Sequence, residues 1–161
     1  MIETQALSGC TGFRCPSRRT SRSPFAVLIL VVGTAVPLAV AWAEASVWDG
    51  VYSSKQAKRG QALYAKSCGS CHRDDLTGHG PTPSLAGSEF RDRWDGQTLG
   101  DLFEKMQATM PADHPGSLSR EENGAILAFI LRSNEFPAGK KDLRTKSDRL
   151  AKIRFQAAKS K

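Results

Sequence analysis

Cys68-Gly69-Ser70-Cys71-His72 is the stretch whose reading decides the fold. A C-x-x-C-H run is the arrangement by which a chain takes up haem covalently. Two thiols three residues apart in a helical turn share a face, so they can reach the two vinyl groups along one haem edge. The next residue, His72, is then carried over the ring plane, where a neutral imidazole nitrogen is a good ligand for iron. Two other uses of such a pair compete. A zinc knuckle needs a second ligand pair, and a redox dithiol needs a thioredoxin-like βαβ context. The sequence supplies neither, so Cys68 and Cys71 are the candidate anchors of a haem and His72 the candidate axial ligand.

The chain has 161 residues, enough for one domain with a modest core to which a haem adds apolar surface. Its first 43 residues read as an export signal. Arg14, Arg18, Arg19 and Arg22 precede an uncharged run from Phe25 to Ala43, which closes on Ala41-Trp42-Ala43. Cleavage after Ala43 or after Ala45 satisfies the small-residue rule. The run is close to the ~20 residues that span a bilayer, so an uncleaved anchor is the rival reading. Cys10 and Cys15 lie upstream of the run and are discarded with a cleaved signal.

Charge divides the chain in three. Residues 1–43 carry +3, residues 44–139 carry −3, and residues 140–161 carry +7. The candidate domain, 44–139, is therefore slightly acidic, and the basic excess belongs to the ends. With no aromatic stacking platforms among basic residues, this argues against nucleic acid as a partner. The tail 140–161 has Leu143, Leu150, Ile153 and Ala157 in an approximate helical stripe. It could lie on a membrane surface, dock on a partner, wrap the domain, or remain a solvated tail with a few apolar anchors.

Helical patterning dominates and no run alternates over strand length. A helix capped by Ser53 or Ser54 runs through Lys66 and delivers the C-x-x-C-H motif at its end. Gly60 and Tyr64 lie one turn apart on it, and a mid-helix glycine, costing ~1 kcal/mol against alanine, suggests close approach of another helix. Glycines and prolines keep residues 74–84 irregular. A short helix from about Ser88 turns Phe90 and Trp94 to one side. Thr98 with Asp101 and Ser119 with Glu122 have capping-box spacing, and each opens a further helix. The second of these has Ile126, Phe129, Ile130 and Ser133 on its inner face, with Leu127 and Leu131 broadening the stripe.

The chain from about Ser53 to Phe136 resembles a class I monohaem cytochrome c domain, of the kind associated with quinoprotein (PQQ-dependent) dehydrogenases. The resemblance rests on Arg59-Gly60, Leu63-Tyr64, Asp75-Leu76-Thr77-Gly78, Trp94-Asp95-Gly96, Asp101-Leu102-Phe103, Thr109-Met110-Pro111, Pro115 to Ser119 and Ala128 to Leu131. It implies an all-α fold, with N- and C-terminal helices crossing over one covalent haem c amid irregular loops. Gly60 and Tyr64 would then meet Phe129, where the family usually has tyrosine.

The resemblance also implies Met110 as second axial ligand to the iron. On the residues alone, a methionine beside an apolar helix is more often core filling. It implies further that the Pro83 carbonyl accepts a hydrogen bond from His72, that Leu85 packs on the haem, and that Trp94 is a candidate for its propionate edge. Met106 would pack on the ring. His79 and His114, both in glycine or proline loops, are rival ligands that read better as solvent-exposed. The function expected is a periplasmic electron carrier with no catalysis of its own, taking electrons from a quinoprotein dehydrogenase and passing them to a terminal oxidase or another cytochrome. The alternatives are a haem enzyme or gas sensor with a displaceable sixth ligand, or a permanent dehydrogenase subunit. Membrane contact could come through the N-terminal segment or the tail.

Overall fold

The computed structural model describes residues 45–159. The expected signal and its cleavage site after Ala43 lie outside them. Six helices and one minimal parallel ladder follow in order: β1 (Ala45–Ser46), α1 (Ser54–Ser67), α2 (Gly69–His72), α3 (Gly87–Trp94), α4 (Leu99–Thr109), α5 (Arg120–Ser133), α6 (Ser147–Leu150) and β2 (Ile153–Arg154). A 3₁₀ turn, Val47–Asp49, links β1 to the loop before α1. None of these helices is long and apolar enough to cross a membrane.

Local chemistry sets the helix starts. The Ser53 hydroxyl accepts from the Gln56 amide and caps α1. Both expected capping boxes form, at Thr98 with Asp101 and at Ser119 with Glu122. In each, the hydroxyl and the carboxylate satisfy reciprocally amides that have no intrahelical partner. These bonds also hold the Asp101 and Glu122 carboxyls below their ordinary range.

The fold turns on the crossing of α1 over α5. A Cβ on Gly60 would stand 1.8 Å from the Ala125 carbonyl oxygen, so the two main chains touch there. One turn on, the rings of Tyr64 and Phe129 lie 5.1 Å apart at 56°. The expected contact is thus split: Tyr64 meets Phe129, but Gly60 meets the backbone of Ala125. Helix geometry explains this, because partners one turn apart on α1 face partners one turn apart on α5. The tyrosine hydroxyl donates to the Arg73 carbonyl at 2.8 Å, and phenylalanine at 129 needs no such partner.

Two expectations change. The apolar stripe expected on α5 is instead burial on all sides, since every residue from Asn123 to Leu131 is buried. The cover on the outer side is the C-terminal segment. Of the readings open for it, wrapping the domain is the one it follows, but not as a continuous helical stripe: among the described residues its helix is the single turn α6. It runs instead as a strap across the domain, with Leu143, Leu150, Ile153 and Phe155 all buried.

The strap is fastened at several points. The buried Gln56 amide clamps the Leu143 main chain, donating to its carbonyl at 3.1 Å and accepting from its amide at 2.7 Å. Arg120 donates to the Thr145 carbonyl and to Glu104, while Ser147 donates to the same carboxylate. These donors hold Glu104 below the ordinary carboxylate range. Ala151 reaches the main chain of α4 at Gly100, where a Cβ would come within 3.0 Å of its nitrogen. Phe155 exchanges main-chain bonds with Gln97 and Gly96, and its ring meets Phe136 at 5.3 Å and Phe90 at 5.9 Å. β2 then pairs with β1, and the Trp48 indole donates to the Gln156 carbonyl at 3.0 Å.

Candidate haem site

α1 ends at Ser67, and the motif follows as the single turn α2, whose first residue is Gly69. Both cysteines are free thiols, Cys68 half-buried and Cys71 exposed. Burial, with the Cys71 thiol adding to it, pushes the Cys68 thiol up to about 11. Such a thiol holds little thiolate at neutral pH, which is unlike a poised redox nucleophile. Among the described residues no three His, Cys, Asp or Glu side chains gather to hold a metal ion, so the pair has no company suited to zinc.

His72 is buried, with 7% of its surface exposed. Its Nδ1 lies 3.0 Å from the Pro83 carbonyl oxygen. A carbonyl can only accept, so Nδ1 carries the proton and Nε2 keeps its lone pair for a metal. A partner of this kind fixes the ring and raises the basicity of the ligating nitrogen. The donor set therefore fits a haem: two thiols for the macrocycle, and an oriented neutral imidazole for the iron.

The loop from Arg73 to Ala86 brings Pro83 to the imidazole. Gly78 donates to the His72 carbonyl at 3.1 Å, and Leu85 donates to the Leu76 carbonyl at 2.8 Å. Gly78 has φ +72° and sits against Thr82 and Pro83, where a Cβ would be 2.3 Å from the Thr82 oxygen. Only glycine supplies both the left-handed turn and the room. His79 is exposed on this loop and His114 on the next. An open cleft of about 560 Å³ beside the motif is lined by Ser70, Cys71, Arg73, His79, Pro81 and Thr82.

The remaining candidates come from three other elements. Met110 caps the C-terminus of α4, half-buried, with its amide donating to the Met106 carbonyl at 2.9 Å. Leu85 and Met106 are half-buried against the core. Trp94, 9% exposed, is part of the core cluster with Phe90.

Asn134 is a residue the sequence reading missed. It is 1% exposed at the end of α5, accepts from the Gly87 amide at 3.1 Å, and donates to the carbonyls of Leu85 and Ile130, both at 2.9 Å. It thus pins the segment just after Pro83 to α5. An asparagine past the last apolar residue of a helix reads as an ordinary C-cap, so nothing in the sequence marks its reach to a loop 49 positions earlier. Asn134→Ala should cost about 3 kcal/mol, because buried partners lose their bonds at ~1–3 kcal/mol each. Urea unfolding of the holoprotein measures this as a lowered midpoint with an unchanged slope.

Residues 55–130 match the family model described as cytochrome c oxidase, cbb3-type, subunit III. This match supports a monohaem cytochrome c domain over these residues, whose cofactor is covalently bound haem c with its iron. Among solved structures the chain is similar to the sulfane dehydrogenase SoxCD from Paracoccus pantotrophus, with 25% identity and a TM-score of 0.45. That likeness covers 71% of this chain and 61% of the SoxCD chain, so this chain spans less than two thirds of its length. No curated protein matches.

Proposed function

We propose that the protein is an exported, periplasmic electron carrier whose haem iron His72 and Met110 would hold. Cys68 and Cys71 tether the macrocycle. His72 supplies Nε2, Pro83 keeps the imidazole in the tautomer that leaves that nitrogen free, and Leu85 and Met106 give the ring apolar surface. The bound iron supplies one-electron redox chemistry. A thioether ligand paired with an imidazole would favour a high potential, suited to accepting electrons. The observation that carries the reading is the buried His72 beside the two thiols, with its Nδ1 fixed on the Pro83 carbonyl.

The donor proposed is a quinoprotein dehydrogenase, and the acceptor a terminal oxidase or another cytochrome. A carrier of this kind meets its partners through small transient interfaces, below ~1,200 Å².

Met110→Ala is the test. The untreated ferric protein should show the long-wavelength methionine-to-iron absorption band, and its ferrous form should resist carbon monoxide. The variant should lose the band, bind carbon monoxide promptly, and fall in potential by on the order of 0.1 V or more, within the ~0.8 V that axial ligands span. Prompt carbon monoxide uptake by the unaltered protein would favour the second reading, a sensor or haem enzyme with a displaceable sixth ligand. One observation leans that way: Met110 stands at a helix end, followed by an exposed run from Ala112 to Ser117.

A further inference from the structure

The strap formed by residues 140–159 turns its apolar side chains inward and its cations outward. Leu143, Leu150, Ile153 and Phe155 are buried. Lys140, Lys141, Arg144, Lys146 and Lys152 are exposed, and among the described residues none of them takes part in an ion pair. The strap's two carboxylates are already engaged, Asp142 by Arg59 at 2.8 Å and Asp148 by its neighbour Arg149 at 3.9 Å. What faces water is a run of uncompensated positive charge on a domain that is otherwise slightly acidic.

We propose that this outer face of the strap docks on an anionic phospholipid surface, its lysines and arginine meeting headgroup phosphates. The position of the strap makes such docking compatible with electron exchange. It crosses the N-terminal halves of α1, α4 and α5, touching Gln56, Gly100, Arg120 and Gly124. Cys71 and His72 follow the C-terminal end of α1, and Met110 follows that of α4. A surface covering the strap leaves the haem motif uncovered.

Lipid is favoured over an acidic protein by where the chain joins the folded body. Ala45 pairs with Ile153 of the strap, and the apolar run Phe25–Ala43 ends only two residues before it. If that run is held at a bilayer, chain connectivity keeps Ala45, and with it the strap, within two residues of the run's end. This choice of partner rests on reading residues 1–43 as a membrane-directed segment, and not on how the iron is ligated. Leu143, Leu150, Ile153 and Phe155 are committed to the core, which leaves charge as the strap's means of contact. Docking is electrostatic, worth about fivefold in affinity for each Lys or Arg at the surface, and weakens within a Debye length as salt rises.

Lysine acetylation of the full holoprotein, read residue by residue by mass spectrometry, tests the proposal whether or not the apolar run is retained. Vesicles of phosphatidylcholine containing phosphatidylglycerol are compared with vesicles of phosphatidylcholine alone. Lys140, Lys141, Lys146 and Lys152 should react at least about fivefold more slowly on the anionic vesicles, the protection vanishing in high salt. Lys66, at the far end of α1, and Lys105 on α4 should react equally on both. Equal reactivity of the strap lysines on the two vesicles overturns the proposal. So does equal protection of Lys66, or protection that appears only with an acidic protein and never with vesicles. The haem absorbance of the same samples reports the cofactor reading separately, so the two can fail independently.

Discussion

Gly60→Val is expected to leave no folded holoprotein, and Gly60→Ala to lower the melting temperature by on the order of 15 °C or more. The atoms in the way are main chain: the Ala125 carbonyl oxygen at 1.8 Å from a Cβ, its carbon at 2.4 Å, and the Ile126 nitrogen at 3.0 Å. A flexible side chain could swing aside, but a helix backbone moves only by parting the whole crossing. That would separate Tyr64 from Phe129 and disturb the turn carrying Cys68, Cys71 and His72. Overpacking typically costs ~1–3 kcal/mol, and a clash with rigid main chain belongs above that range, at about 4 kcal/mol. Helix propensity works the other way, since alanine is favoured over glycine by ~1 kcal/mol. The sign of the change therefore decides the matter. A Gly60→Ala protein that melts at the same temperature or higher would mean the helices do not touch at this point.

That contact was legible because a glycine inside an otherwise good helix costs something and asks for a reason. The same holds for Ser53, for the two capping boxes, and for Phe90 with Trp94: each is a local pattern with a local consequence. The contact of Pro83 with His72 came only from the family resemblance, since no local rule joins a proline to an imidazole eleven residues away. What escaped was long-range and polar. Gln56 and Asn134 are uncharged amides on helices, types that usually face solvent, and only the fold reveals that each clamps a main chain arriving from far along the sequence. The strap was hardest to read. Its apolar residues are spaced irregularly because they descend into an uneven surface made by three helices and a loop, not onto one face of a partner. Its many lysines resembled a solvated tail because they mark only the outer side.

Phe155→Ala tests whether the strap is part of the core, and is expected to cost about 3–5 kcal/mol, the range for deleting a buried aromatic ring. Phe155 has no exposed surface and lies between the rings of Phe136 and Phe90. Its main chain bonds to Gln97 at 2.8 Å and to Gly96 at 3.0 Å, so the site cannot readily collapse around the missing ring. A loss of that size is a large part of the ~5–15 kcal/mol that holds a domain together. Lys152→Ala, three residues earlier and exposed, is the control: it should change stability by no more than about 0.5 kcal/mol. Chemical unfolding of the two holoproteins distinguishes the cases. If the segment were a solvated tail, the two substitutions would be equally silent. If it belongs to the core, the phenylalanine variant unfolds at much lower denaturant while the lysine variant matches the parent. The contrast also separates the strap's two faces, because the inner one holds the domain together while the outer one, free of that duty, is left to meet a charged surface.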